Sequence, residues 1–229
     1  MAINIDTLKT RALTALVFVA VMLVGLLWNR WSFILLFTIV HFGCWYEFIK
    51  LVKLIYGAKY PKFCLAGLLY ITMPITMLIA LRLMDNFGNT GIIKADMGYI
   101  LPCTIIFSIW INDTMAYLVG SMIGKTPFSK ISPKKTWEGT GGGAILCVVI
   151  IGLAAWLYLG DYRQAGIIAA ICAIFGTMGD LLESKIKRMA NVKDSGSLMP
   201  GHGGFLDRFD SLLVAVPFVW LYVHIVQGN

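Results

Sequence analysis

Charge is scarce in this sequence. Asp, Glu, Lys and Arg make up 14% of the 229 residues and hydrophobic residues 59%, against about 25% and about 45–50% in a soluble domain. That excludes a disordered chain and an ordinary water-soluble enzyme, and a mean hydropathy of +0.79 argues for surface that faces lipid. Histidine is nearly missing, with three residues, and the five cysteines (Cys44, Cys64, Cys103, Cys147 and Cys172) stand singly with no CxxC pair. A disulfide framework and a Cys/His zinc centre are both excluded, and the thiols read as packing residues. Acids are the scarcer sign, 12 against 19 Lys and Arg, for a formal charge of +7. In a membrane protein such an excess reports orientation and attraction to anionic headgroups, so nucleic acid is not the expected partner.

What is present is a series of long apolar runs. Seven stretches, 12–28, 31–49, 63–81, 97–119, 143–159, 165–182 and 211–226, approach the ~17–25 residues that cross a bilayer. The expected fold is all-α, a polytopic integral membrane bundle of about seven transmembrane helices with two functional cytoplasmic loops. The first stretch follows Lys9 and Arg11 as in a signal peptide, but its long apolar run and lack of a small-residue cleavage site mark a retained span. Asn112 and Asp113 interrupt the fourth, so it is either one polar-marked helix or a helix with a break. Alternate loops divide the basic residues 15 to 4, the minority being Arg30, Arg82, Lys94 and Arg163. By the positive-inside bias the N-terminus is cytoplasmic and the C-terminus outside.

Two basic loops on the cytoplasmic side, 120–143 and 183–210, are longer at ~25 residues than bundle connections usually need. The loop 82–96 on the other face lacks pattern and reads as a solvated connector. Asp180, Ser184, Lys187 and Arg188 follow at steps of four, three and one, which leaves much of the set on one helical face. Asp207 and Asp210 open the last span, with Ser211 one turn after Asp207. Three carboxylates at two helix ends offer hard oxygen ligands, which suit Mg²⁺. Any one of these acids alone reads equally as an N-cap. Asp180, however, lies near membrane depth, where a carboxylate is costly and calls for a partner, here Mg²⁺ or Lys187 and Arg188.

Between these helix ends run Lys193-Asp194-Ser195-Gly196 and Pro200-Gly201-His202-Gly203-Gly204. Glycines let backbone N–H groups approach an anion, and Lys and Arg supply charge, so the run suits phosphate. In the first loop Gly120-Ser-Met-Ile-Gly124-Lys125-Thr126 has one residue too few between its glycines for a P-loop and follows a helix rather than a strand. The same glycines at GxxxG spacing serve close helix packing or a ligand, and both readings stay open. Ser132, Lys134, Lys135, Thr136 and Glu138 add hydroxyls and charges suited to a polyphosphate on the same face as the acids. His41 and His224 read as packing or interfacial residues, the sequon at Asn112 is empty at membrane depth, and Trp28, Trp31, Trp45 and Tyr46 suit interfacial belts.

The stretch SKIKRMANVKDSGSLMPGHGGFLDRFD from Ser184 to Asp210 resembles the signature of the phosphatidate cytidylyltransferase (CDP-diacylglycerol synthase) family. The resemblance rests on Ser184, Lys187, Arg188, Lys193, Asp194, Gly196, His202, Gly203, Gly204, Asp207, Arg208 and Asp210. Asp113, Ala116-Tyr117, Gly120, Gly124-Lys125, the run Ser132-Pro-Lys-Lys-Thr-Trp-Glu-Gly139 and Gly179-Asp180 with Glu183-Ser184 also match, so it spans 113–211. Upstream, only Trp45-Tyr46-Glu47 is similar to the family's Trp-Glu pair, with a Tyr inserted, and the chain is shorter than many members.

The resemblance implies an integral membrane enzyme, in the inner or plasma membrane if bacterial, that joins CTP and phosphatidic acid into CDP-diacylglycerol and pyrophosphate. It further implies a homodimer among membrane lipids, with its active site facing the cytoplasm. Residues 1–112 would be N-terminal transmembrane helices and 113–229 the catalytic region. Asp180 and Asp207 would hold Mg²⁺, with Ser184 nearby and toward a monovalent cation such as K⁺, and Asp210 a third ligand or one step removed. Lys187, Arg188, Lys193 and Arg208 would hold phosphates, with Asp194, Gly203 and Gly204 in the same substrate loop. Ser132, Lys134, Lys135 and Thr136 would hold the nucleotide or the leaving pyrophosphate. His202 would orient the loop or move a proton, and Asp113 would be a ligand or a helix-break partner. A CTP-using polyprenol kinase, a CDP-archaeol synthase and a transporter are the alternatives; a transporter predicts polar residues strung along the spans, whereas here they gather at the ends.

Overall fold

The computed structural model describes residues 5–84, 98–160, 162–197 and 203–227. All regular elements among them are helical: α1 (Ile5–Leu27), α2 (Arg30–Tyr56), α3 (Tyr60–Gly67), α4 (Met73–Leu83), α5 (Ile100–Ile123), α6 (Trp137–Leu159), α7 (Arg163–Met189) and α8 (Leu206–Gln227). A 3₁₀ turn, Gly57–Lys59, joins α2 to α3, and a π-helical turn, Leu68–Thr72, joins α3 to α4. Most of the connector expected at 82–96, and His202, lie outside the described residues.

Five helical runs are long and apolar enough to cross a membrane: Arg30–Leu83, Ile100–Ile123, Trp137–Leu159, Arg163–Met189 and Leu206–Val226. The chain is thus a multi-pass membrane protein, but the expected seven spans are not recovered as seven. The first apolar stretch is a shorter helix, Ala12–Leu27, and the second and third fall within one 54-residue run. Straight, that run would be ~80 Å long at 1.5 Å per residue, far more than a hydrocarbon core of ~30 Å. It turns back where Gly57, at φ +54°, ends α2 and Pro61 opens α3. Tyr56 stacks on Phe63 with ring centroids 3.6 Å apart. Further along, Gly67 admits Trp45, whose ring lies 2.6 Å from where a Cβ would stand.

The contacts divide the chain into two compact units, Met1–Thr72 with Ile186–Phe209 and Met73–Lys185 with Asp210–Asn229. In the first, Asn29 caps α2 by accepting from the Ser32 N–H at 2.8 Å, while Ser32 Oγ accepts from the Asn29 N–H at 3.1 Å. This reciprocal box sets the tight α1–α2 turn. Phe209 packs edge-on against Phe18 and Phe37, each at a centroid distance of 6.3 Å.

The second unit is built on a seam of small residues. A Cβ on Gly143 would lie 2.6 Å from Ala116 N, and one on Gly139 2.7 Å from Ala116 O and 2.8 Å from Gly120 Cα. The backbones of α5 and α6 therefore approach as only glycine allows. Gly120 and Gly124 face Thr136 across the same seam, in keeping with the packing reading of their spacing, and Gly120 also lines the cavity described below. Thr136 caps α6 by accepting from Gly139 N at 3.1 Å, and Gly160 at φ +75° ends it. Helix α5 runs unbroken through Asn112 and Asp113. Cys147, Ile151 and Ala169 form a buried cluster with Phe107, Ile111, Val148 and Ala165, while Ile145, Val149, Leu153 and Leu157 along α6 stay exposed, as on a lipid-facing surface.

Candidate functional site

The polar residues of the second unit gather where α5, the 124–136 loop, α7 and α8 meet. Gly179 makes this possible: a Cβ there would come within 2.5 Å of Asp210 O, so the backbone of α8 lies directly on α7. Asp180 and Glu183, three apart on α7, thereby meet Asp210, and each offers a carboxylate oxygen within 4.8 Å of the other two. Glu183 is fully buried and Asp210 nearly so. Ser184 donates its hydroxyl to Asp180 Oδ1 at 3.4 Å. Lys135 forms an ion pair with Asp180 from the facing loop.

Beside Asp180 opens a cavity of about 420 Å³ lined by Asp113, Tyr117, Ser132, Lys134, Lys135, Thr136, Thr140 and Thr177. The loop that carries its lysines is folded on itself. Phe128 N donates to Lys135 O at 2.7 Å and Trp137 N to Thr126 O at 3.0 Å. Glu138, in the first turn of α6, accepts from Thr126 Oγ1 at 2.8 Å and from the N–H groups of Lys125 and Thr126. The sequence grouped Glu138 with the polyphosphate ligands; its carboxylate instead clasps the loop that presents them.

The first unit holds a separate constellation around the 190–205 loop. Asp207 accepts from Lys187 Nζ at 2.6 Å, from Ser195 N at 2.9 Å, from Ser195 Oγ at 2.8 Å and from Gly204 N at 2.8 Å. Glu47 of α2 accepts from Phe205 N at 2.9 Å, Leu206 N at 2.8 Å and Ser195 Oγ at 2.7 Å. The glycines serve these two carboxylates: a Cβ on Gly196 or Gly204 would stand 2.1 Å from Glu47 Oε1 and one on Gly203, at φ +83°, 2.6 Å from Asp207 Oδ2. Arg188, Lys193, Asp194 and Arg208 are exposed, Arg188 reaching Val192 O at 3.5 Å.

Of the expected site residues, Asp113, Ser132, Lys134, Lys135, Thr136, Asp180, Ser184 and Asp210 thus belong to the second unit. Lys187, Arg188, Lys193, Asp194, Gly203, Gly204, Asp207 and Arg208 belong to the first. Two acids were noted in the sequence only as part of the family resemblance and given no role in the site. The i+3 spacing of Glu183 from Asp180 was a signal for one, and a lone acid inside an apolar stretch was a signal for Glu47.

Comparison with known proteins places these residues in a family. A match to the cytidylyltransferase family covers residues 68–226. The chain is 39% identical over 174 residues to a phosphatidate cytidylyltransferase of Bacillus subtilis (strain 168), covering 74% of this chain and 61% of that protein. It is 42% identical over 130 residues to the phosphatidate cytidylyltransferase of Synechocystis sp., covering 55% and 44% of the two chains. With phosphatidate cytidylyltransferase 4, chloroplastic, of Arabidopsis thaliana it shares 46% over 114 residues, 49% of this chain and 29% of that one. The matched region is thus about three fifths of these relatives' length or less.

Proposed function

The chain belongs to the cytidylyltransferase family, and on that footing we propose that it transfers the cytidylyl group of CTP to phosphatidic acid, giving CDP-diacylglycerol and pyrophosphate. The observation that carries this reading is the cavity beside Asp180, which combines two lysines, hydroxyls and a cluster of acids. That set suits a triphosphate brought to a hard cation. In the reaction an oxygen of the lipid phosphate attacks the α-phosphorus of CTP, a P–O bond forms there, and the bond to the β-phosphate breaks.

Both reactants are anions at neutral pH, so charge neutralisation and alignment are the main requirements and no general base is needed. Lys134 and Lys135 line the cavity and would take the β- and γ-phosphates, stabilising the charge that develops on pyrophosphate. Ser132 and Thr136 offer hydroxyl donors beside them. Arg188, Lys193 and Arg208 are exposed cations in or next to the 190–205 loop and would hold phosphate.

The carboxylates of Asp180, Glu183 and Asp210 fit a divalent cation: three hard oxygen donors within 4.8 Å of one another, in a burial that a bare triple negative charge would oppose. Those residues would hold Mg²⁺, whose charge supplies neutralisation of phosphate oxygens when bound. Ser184, beside Asp180, would offer a hydroxyl oxygen toward a monovalent cation such as K⁺. Asp207, which the sequence paired with Asp180, is assigned to holding the 190–205 loop. Cytoplasmic placement of the loops, from the 15 to 4 division of basic residues, and assembly as a homodimer among membrane lipids belong to the same proposal.

The test is purified protein in detergent with phosphatidic acid, Mg²⁺ and CTP labelled at the α-phosphate. The expected result is label on a lipid product with release of pyrophosphate. Label that stays in CDP while phosphate from the γ-position reaches lipid would replace the reading with a lipid kinase.

A further inference from the structure

Glu47 is 3% exposed on a helix of mainly apolar residues, lies outside the segment that matches the family, and has no part in the chemistry above. A buried carboxylate costs several kcal/mol unless donors surround it. Here the donors come from both ends of one loop. Ser195 Oγ approaches from the segment that follows Lys193 and Asp194, and the N–H groups of Phe205 and Leu206 approach from the residues just before Asp207 and Arg208. Leu206 is the first residue of α8, so Glu47 also places negative charge at that helix's N-terminus, where unsatisfied N–H groups and the helix dipole favour it.

The fit is close from both sides. Gly196 and Gly204 each leave 2.1 Å between an added Cβ and Glu47 Oε1, so a larger residue at either position would push the carboxylate away from its donors. Ser195 Oγ lies between Glu47 and Asp207, at 2.7 and 2.8 Å, and its single proton serves one of them at a time. Together the two acids take the N–H groups of Ser195, Gly204, Phe205 and Leu206. Ser195 N–H and Gly204 N–H, two of the donors that the sequence offers to a phosphate, are thus taken by the protein's own Asp207 carboxylate. Side-chain cations stand close by in the chain, Lys193 two residues before Ser195 and Arg208 two residues after Leu206.

We infer that Glu47 is a positioning residue for substrate: from α2 it fixes the two ends of the 190–205 loop and so sets where Lys193 and Arg208 meet a phosphate. The inference rests on the proposed reaction for the identity of that phosphate, and on geometry alone for the clamp. A purely structural Glu47 would affect stability without affecting substrate.

The experiment uses the full chain in detergent, as wild type, Glu47→Gln, Glu47→Ala and Ser195→Ala. Three quantities are measured below the unfolding temperature of each variant: KM and kcat for CTP and for phosphatidic acid, the rate of trypsin cleavage after Lys193, and the slowing of that cleavage by added CTP or phosphatidic acid. Loss of hydrogen bonds to a charged acceptor is expected to raise KM for one anionic substrate about tenfold in Glu47→Ala, with kcat much less affected. Cleavage after Lys193 is expected to accelerate and substrate protection to weaken, with Glu47→Gln intermediate because it keeps one acceptor oxygen and the side-chain shape. Ser195→Ala should shift the same quantities in the same direction. Unchanged KM, cleavage and protection in the Glu47 variants, or a lowered Tm alone, would overturn the inference. If Glu47→Ala does not accumulate, Glu47→Gln decides on the same criteria. Wild type that makes no cytidine lipid would count against the proposed reaction, and the cleavage rates would still judge the clamp.

Discussion

Lys135 forms an ion pair with Asp180, joining one of the two lysines that line the cavity to one of three clustered acids. The pair has an opposing effect on the two kinds of ligand the site would take. Lys135 attracts phosphate and competes with a cation for Asp180. Lys135→Met is expected to raise KM for CTP about tenfold or more, on the scale of one lost charge-assisted contact. The Mg²⁺ concentration for half-maximal activity should fall or stay constant. Titrating each at saturating levels of the other checks both directions, and parallel increases would count against the assignment.

Glu183 gives a test that needs no turnover. Three carboxylates this close oppose one another when no cation is bound, so Glu183→Gln is expected to raise the Tm of the chelator-treated protein. Wild type should be stabilised by Mg²⁺, by about 2.7 kcal/mol at a hundredfold excess over Kd, and the variant should lose most of that gain. Thermal unfolding in detergent with and without Mg²⁺ measures both. A wild-type protein indifferent to Mg²⁺ would remove the metal from these residues.

The α5–α6 seam separates two glycines of one helix. Gly143→Ala places a methyl 2.6 Å from Ala116 N, so the helices must part, at a cost of about 1–3 kcal/mol typical of overpacking. Gly141→Ala meets nothing within 4 Å and should be neutral or stabilising by about 0.5–1 kcal/mol through helix propensity. Equal Tm values for the two variants would contradict the seam.

Glu138 holds the lysine-bearing loop through Thr126 and the N–H of Lys125. Glu138→Ala is expected to hasten trypsin cleavage after Lys130 and to raise KM for CTP while helix content by circular dichroism stays the same. Cleavage at the wild-type rate would show that the loop keeps its shape without the clasp.

Much of this arrangement was legible in the amino-acid order. The acids at 180 and 210 sit at the ends of apolar runs, where a carboxylate is costly enough to need a reason, and the lysines at 134 and 135 fall on the same side by counting loops. Pairwise contact was not legible. Asp180 and Asp207 are equal candidates by position, yet Gly179 brings α8 to α7 at Asp210, and Lys187, Ser195 and Gly204 take up Asp207. The glycines of the 190–205 loop were read as making room for a ligand, a role that composition cannot tell from making room for Glu47. The two apolar stretches 31–49 and 63–81 were legible as separate and the turn at Gly57 lies between them, within the 54-residue run, whereas a count of seven spans is not confirmed by the five runs long and apolar enough to cross.

The separation of 148 positions between Glu47 and Ser195 bears on how the protein is made. When α2 leaves the ribosome and enters the bilayer, the segment that will neutralise its carboxylate has not been translated. Until Ser195 and the start of α8 arrive, the Glu47 carboxylate lacks the donors that surround it in the fold and must be met by water or lipid headgroups. A chain released before Ser195 and Leu206 are made would therefore lack the clamp on Glu47.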